Sequence, residues 1–316
     1  MQHKEYLVGV DIGGTKIAVG LISADGKIVH ETRMDTRGND GPEAVVKRLA
    51  DTIITLSKGY DIKGIGVGVP GIVDTENGII QYWSTFNWGN VHLEKMLQQH
   101  IDKKITIVND ASAATWGEFN FGAGRHANNM VFMTISTGIG GGIIVDRKMY
   151  TGSNMLAGEM GHITVHPNGP TCNCGKIGCL ESYASGLSIQ RLAVEAIKQK
   201  PSMLIDMERL EKRAIDTKMV FAAYEAGDVV AQEIIDQAAT YVGMGLANLI
   251  HLLNPDCIVL GGGVMKSSDF FIEKIRQATQ QYILPSYRNT YAIRRSALFE
   301  DAALIGAANL LYGKIV

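Results

Sequence analysis

Tyr6-Leu-Val-Gly-Val-Asp-Ile-Gly-Gly-Thr-Lys-Ile-Ala-Val-Gly-Leu-Ile22 decides the fold. Two apolar, β-rich runs flank the short stretch Asp11–Lys16, the pattern of strand, tight hairpin, strand. A dinucleotide fingerprint needs a helix after its glycines, with pyrophosphate on the helix N-terminus. Here the residues after Lys16 continue as a strand, which argues against that fold. The P-loop pattern Gly-x4-Gly-Lys-Ser/Thr is absent from the chain. What remains is a glycine hairpin at Gly13 and Gly14. Lacking Cβ atoms, it lets backbone N–H groups approach an anion closely. Thr15 and Lys16 add a hydroxyl and a positive charge, and Asp11 at the strand end is placed to hold Mg²⁺ through water.

Outward from this hairpin, Ala24-Asp-Gly26 predicts a turn and residues 27–31 a third strand, giving an antiparallel meander. Pro42–Leu56 has helical spacing, with Gly41-Pro42 as its start signal. Ile62–Val69 reads as a buried strand closed by Pro70-Gly71. Residues 91–99 read as a short amphipathic helix, 105–108 as a strand ending at Asn109-Asp110, and 111–119 as a helix. The opening design then recurs over 129–145, with Ser136-Thr-Gly-Ile-Gly-Gly-Gly142 in the hairpin position, an internal repeat of pattern. Residues 187–253 are mostly helical, with Val229–Leu253 the longest periodic run, stopped by Asn254-Pro255. A strand at 257–260 leads into Gly261-Gly-Gly263, followed by a helix at 269–283, a strand at 291–295 and a last helix at 301–311. Strand meanders followed by strand–helix units, occurring twice, predict two related α/β lobes with a cleft between them. The expected division is a small lobe of residues 1–116 plus 301–316, and a large lobe of residues 117–300.

Composition bounds the function. The chain has 316 residues, 46% apolar and 20% charged, which is globular usage. Thirty basic against 32 acidic residues give net −2, which argues against a nucleic-acid coat or a polybasic membrane binder. No apolar run approaches the ~18 residues that span a bilayer. The start, Met1 to Lys4, leads into a strand-like run broken by Asp11 and does not read as a signal peptide. The expectation is a soluble, cytoplasmic protein. Glycine is over-used, at 36 residues, and clusters at the ends of apolar runs. Three such turns (13–14, 136–142 and 261–263) fit a polyphosphate better than three unrelated hairpins do.

Asn109-Asp110 stands at a strand-to-helix junction. A carboxylate there is placed to accept a proton from a hydroxyl as it attacks a phosphoryl group, while Asn109 anchors a neighbouring hydroxyl. The plainer reading is an N-cap, and one residue of the pair can cap while the other reacts. Cys172-x-Cys174 and Cys179 lie too close together for a disulfide framework in a cytoplasmic chain and match a tetrahedral Zn²⁺ site. Cys257, in an apolar strand, reads as a core thiol. His162 and His166 compete for the fourth ligand position. Prolines 167 and 170 and glycines 169, 175 and 178 supply the turns of such a knuckle. Glu159 and Glu181 flank it, and carboxylates that accept two hydrogen bonds suit a polyol. A zinc ribbon for nucleic acid is a rival, but Lys176 is its only flanking base.

With these residues assembled, the chain resembles the ROK family of sugar kinases and repressors. The resemblance rests on Asp11-Ile-Gly-Gly-Thr-Lys16, Asn109-Asp110, Ser136–Gly142, Gly158-Glu-Met-Gly-His-Ile-Thr-Val165, Cys172-Asn-Cys-Gly-Lys-Ile-Gly-Cys-Leu-Glu181 and Gly261-Gly-Gly263, in family order. It implies an α/β, two-lobed actin-like ATPase (RNase H-like) sugar-kinase fold with an interlobe cleft. It implies ATP-dependent phosphorylation of a hexose at O6, most simply glucose, with Asp110 as general base. Gly71, Asn87, Asn109, Asp110, Glu159, His162 and Glu181 would bind the sugar. Asp11, Gly13, Gly14, Thr15, Lys16, Thr137, Gly138, Gly261, Gly262 and Gly263 would hold ATP and Mg²⁺. His162, Cys172, Cys174 and Cys179 would bind structural zinc. Family members are commonly homodimers or homotetramers and bind no membrane; the family's repressors carry an N-terminal helix-turn-helix, for which a strand beginning by Tyr6 leaves no room. Ser136-Thr-Gly138 replaces the Gly-Thr-Gly usual in the family's glucokinases, and residues 109–119 are similar to N-acetylmannosamine kinases, whereas Glu159 is what glucokinases keep. The alternatives are therefore an N-acylhexosamine kinase and a sugar-sensing regulator without a DNA-binding part.

Overall fold

The opening stretch forms β1 (Tyr6–Ile12) and β2 (Lys16–Ser23), paired antiparallel with Ile12 opposite Ile17. The structure is a computed structural model that describes residues 5–267 and 269–312. Met1–Lys4 and the last four positions of the expected C-terminal segment lie outside the described residues. A third strand, β3 (Ile28–Asp35), completes the meander and runs four residues beyond the predicted end. That extension carries Arg33 and Asp35 on an edge strand whose side chains are largely exposed. Hydrophobic patterning could not mark it, because the strand is held by backbone pairing rather than by a buried face.

Helix α1 (Pro42–Leu56) follows, with Gly41 as N-cap, proline in its first turn, and Val45, Val46, Leu49 and Ile53 buried on one face. Then come β4 (Ile62–Val69), the small antiparallel sheet β5 (Ile72–Asp74), β6 (Ile79–Trp83) and β7 (Trp88–Val91), helix α2 (Leu93–Gln98), β8 (Ile105–Asn109) and α3 (Asp110–Asn120). The sequence reading missed the small sheet and began the helix at residue 91. Val91 instead ends β7 opposite Ile80, with Trp88 opposite Trp83. Asn90 just before it has φ +54°, which no helix tolerates, so α2 starts only at Leu93.

The restart over 129–145 appears as β9 (Met130–Ile135) and β10 (Ile139–Val145), extended by β11 (Lys148–Tyr150). Beyond the Cys/His loop lie α4 (Glu181–Ala184), α5 (Gly186–Ala196), α6 (Met203–Glu211), α7 (Thr217–Glu225) and α8 (Val229–Leu253). Helix α8 ends where Asn254 turns left-handed at φ 43° before Pro255. Strand β12 (Cys257–Gly261), α9 (Gly263–Lys266), α10 (Asp269–Tyr282), β13 (Ala292–Arg295) and α11 (Ala302–Asn309) close the chain.

The internal repeat is real at the level of topology. One five-stranded sheet has the order β3-β2-β1-β4-β8 and the other β11-β10-β9-β12-β13. Each sets its meander beside two parallel strands from later in the chain. The chain divides into two compact units, one of Met1–Asn128, Gly142–Gly158 and Glu300–Val316, the other of Asn129–Gly141 and Glu159–Phe299. In the first, Val8, Val10, Val19, Leu21, Leu49, Ile65, Val67 and Ile107 form a fully buried core between sheet and helices. Helix α11 wedges against β1, β4 and α3 at backbone distance. A Cβ on Gly66 would stand 1.7 Å from the Ala307 carbonyl oxygen, and one on Gly306 1.8 Å from that of Ala113. That contact seats α3, and with it Asp110. Among the described residues no helix is long and apolar enough to cross a membrane.

Candidate active site

The first unit assembles its site residues at the ends of β1, β4 and β8. The Asn109-Asp110 pair divides its labour. Asn109 is the N-cap of α3: its Oδ1 accepts the N–H groups of Ala111 at 2.9 Å and Ser112 at 3.1 Å, and its Nδ2 donates to the Gly71 carbonyl at 3.1 Å. Gly71 has φ +94°, and a Cβ there would lie 2.3 Å from the Tyr82 carbonyl oxygen, so only glycine fits. Asp110 opens α3, with Oδ1 accepting the Ala111 N–H at 2.8 Å, which places its carboxylate at the positive end of the helix.

Asp11 pairs in register with Gly68 of β4, and the Cβ position of Gly68 lies 3.6 Å from the Cα of Asp110. Burial, and secondarily the charge of Asp110, pushes the Asp11 carboxyl up to about 7 against a smaller opposing pull from Arg33. The glycine hairpin is closed by Gly13 N–H donating to the Lys16 carbonyl at 2.8 Å and by Thr36 Oγ1 donating to the Gly13 carbonyl at 2.6 Å. The N–H groups of Gly14 and Thr15 take no partner among the described residues, which leaves them for an anion. Lys16 pairs with Asp35 at 2.5 Å, an exposed ion pair that a polyphosphate can displace at small cost. Asn87 is left-handed, at φ 52°, and closes the turn 84–86. Thr85, unmarked in the sequence, lies beside the hairpin, with Cγ2 3.6 Å from where a Cβ on Gly14 would be.

The second unit holds the other residues. In the hairpin between β9 and β10, Ser136 N–H donates to the Gly138 carbonyl at 2.9 Å. The start of α5 grips the same hairpin: Gly186 N–H donates to the Ser136 carbonyl at 2.7 Å. Gly262 turns at φ +90° between β12 and α9. Thr137 and Gly263, from two of the three glycine turns, line one cavity of about 260 Å³ together with Leu187, Gln190, Asp216 and Lys218. Those last four escaped the sequence reading. Leu187 is half exposed, at 53%, and Asp216 serves as N-cap of α7, so each reads locally as an ordinary helix residue.

In the Cys/His loop, His162, Cys172, Cys174 and Cys179 bring one ligand atom each within 4.8 Å of one another. Cys174 and Cys179 Sγ are 3.7 Å apart, and Cys172 Sγ is 3.8 Å from His162 Nδ1. A tetrahedral zinc with Zn–S near 2.3 Å requires sulfur atoms about 3.8 Å apart, so the donor set and its spacing fit that ion. His162 turns Nδ1 to the thiols and Nε2 to Glu159 Oε2, 3.8 Å away. His166 is not part of the cluster: its ring lies 6.2 Å from those of Tyr183 and Tyr241. Glu181 joins the loop to the hairpin, with Oε2 accepting the Ile139 N–H at 2.8 Å and Oε1 3.9 Å from Cys172 Sγ.

Paired five-stranded sheets of one topology, glycine turns at strand ends and a carboxylate at a strand–helix junction define the two-lobed actin-like ATPase class. The chain belongs to the ROK family, whose model matches residues 7–314. It is 39% identical over 313 residues to a glucokinase of Thermotoga maritima, covering 99% of each chain. A crystal structure of a ROK family glucokinase from Streptomyces griseus with glucose and AMPPNP superposes at TM-score 0.83 and 32% identity, covering 96% of this chain and 98% of that one. The chain is also 30% identical to a xylose repressor of Bacillus spizizenii, over 97% of its own length and 77% of the repressor's.

Proposed function

We propose that the protein phosphorylates glucose at O6 with ATP, Asp110 acting as general base. The observation that carries this reading is the division of the Asn109-Asp110 pair. Asn109 serves as the N-cap of α3, and Asp110 beside it holds its carboxylate at the strand–helix junction as the group that takes a proton from an attacking hydroxyl. The full-length likeness to glucokinases supports the choice of sugar and donor.

In this reading Asn109, Gly71 and Asn87 orient the hexose, and Glu159, His162 and Glu181 accept from or donate to its hydroxyls. The two units are the two lobes of the kinase. As O6 attacks, Asp110 takes its proton, while the free N–H groups of Gly14 and Thr15, with Thr137 and Gly138, stabilise charge on the phosphates. The cavity between Thr137 and Gly263 receives the nucleoside end of ATP. Mg²⁺ held through water by Asp11 would neutralise phosphate charge, and Zn²⁺ on His162, Cys172, Cys174 and Cys179 would fix the loop that bears Glu159 and Glu181. A kinase that consumes ATP and keeps three thiols reduced fits the cytoplasm.

A panel of glucose, mannose, fructose, N-acetylglucosamine and N-acetylmannosamine, assayed by ADP release with ATP as donor, tests the reading. Glucose giving the highest kcat/KM is the expected result. A preference for N-acetylmannosamine replaces the substrate, and sugar binding without ADP release replaces the enzyme by a sensor.

A further inference from the structure

The Ile139 N–H, at the start of β10 and next to Gly138 of the hairpin, donates to the Glu181 carboxylate. One short segment, 179–187, grips this hairpin three times. The Glu181 carboxylate holds the Ile139 N–H at 2.8 Å, and the N–H groups of Gly186 and Leu187 reach the carbonyls of Ser136 at 2.7 Å and Thr137 at 3.4 Å. The segment is itself braced, since Ser188 Oγ donates to the Glu181 main-chain carbonyl at 2.7 Å. Gly138 completes the fit: a Cβ there would come within 2.6 Å of Glu181 Oε2.

We propose that Glu181 is a positioning residue for the nucleotide. One carboxylate oxygen fixes Ile139 and so sets the backbone of Thr137 and Gly138, which leaves only the other oxygen for a sugar hydroxyl. The inference rests on the kinase reading and adds a second task to a residue assigned there to sugar alone. A residue that only binds sugar leaves nucleotide affinity untouched when no sugar is present. A residue that holds the phosphate hairpin does not.

The test is calorimetric binding of AMPPNP with Mg²⁺ to the full chain without sugar, together with hydrogen exchange at the Ile139 amide. Glu181→Ala removes the acceptor. The nucleotide dissociation constant is expected to rise about tenfold, in line with the loss of one charge-assisted hydrogen bond, and Ile139 to exchange faster. Glu181→Gln keeps a carbonyl oxygen for Ile139 and is expected to stay within about twofold of the parent in nucleotide binding, while glucose binding weakens in both variants. Glu181→Asp draws the carboxylate one methylene back from Ile139 and takes the place of Glu181→Ala if that variant fails to fold. Parental AMPPNP affinity in Glu181→Ala, or in Glu181→Asp where the former does not fold, overturns the inference with the kinase reading intact. A parent protein that binds no AMPPNP at all overturns both.

Discussion

The side-chain amide of Asn109 donates to the Gly71 carbonyl at 3.1 Å while its oxygen caps α3. One residue thus ties the turn after β4 to the helix that opens with Asp110. Replacing it by alanine removes the cap and the tie together. Asn109→Ala is expected to lower unfolding free energy by about 1–2 kcal/mol, the usual worth of such a cap, and to lower kcat because Asp110 loses its fixed direction. Urea titration of both proteins measures the first effect and steady-state assay the second. Unchanged stability would show that the cap is redundant.

Asp110→Asn keeps the volume of the side chain and its hydrogen bond to the Ala111 N–H, and removes only the basic carboxylate. If Asp110 takes the proton of O6, kcat falls by about 10²–10⁴, the range general bases supply, while the dissociation constant for glucose stays near the parental value. Isothermal titration with glucose and a coupled ADP assay separate the two quantities. Near-full turnover in this variant would remove Asp110 from the chemistry.

How much of this was legible in the sequence depends on what fixed each part. The hairpins, α1, β4 and α8 follow from apolar periodicity and glycine or proline punctuation, and their residues could be read directly. The small sheet β5–β7 could not, because its strands are short and alternate Trp83, Trp88 and Val91 with exposed residues, so the pattern is no stronger than that of an amphipathic turn. The thiols declared themselves by spacing, and the choice between His162 and His166 needed coordinates. Leu187, Gln190 and Asp216 gather around Thr137 only through the packing of α5 and α7 on the hairpin, which no local motif encodes.

Asp11 gives a dependence on pH. In the fold its carboxyl is held up to about 7, by burial first and by Asp110 second, against 3.8 for the free side chain. The folded state therefore binds more protons than the unfolded one between those values, and stability falls as pH rises through that window. Asp11→Asn has no proton to lose there. Its stability relative to the parent is expected to climb from pH 5 to about pH 7 and then level off. Urea midpoints for both proteins at pH 5, 6, 7 and 8 check it, and a difference constant across the series would mean that Asp11 titrates as an ordinary carboxylate.

Metal removal tests the second unit separately. The loop around Cys172, Cys179 and His162 is folded by short backbone hydrogen bonds, such as Val165 N–H to the Gly178 carbonyl at 2.9 Å and Cys172 N–H to the Lys176 carbonyl at 2.7 Å, and its bridges Thr164–Cys179 and Thr171–Ile177 are isolated pairs rather than a sheet. A bound zinc would cross-link these turns through their side chains, and its loss is expected to loosen the segment 159–181. The purified native protein should carry one zinc per chain by elemental analysis. Chelation should expose that segment to limited proteolysis and weaken glucose binding well before it unfolds the first unit, whose buried core contains no metal ligand. Glucose binding should return when zinc is restored, because the ligands are the chain's own side chains and the rest of the fold stays in place. A metal-free native protein with parental glucose affinity would leave the three thiols without this role.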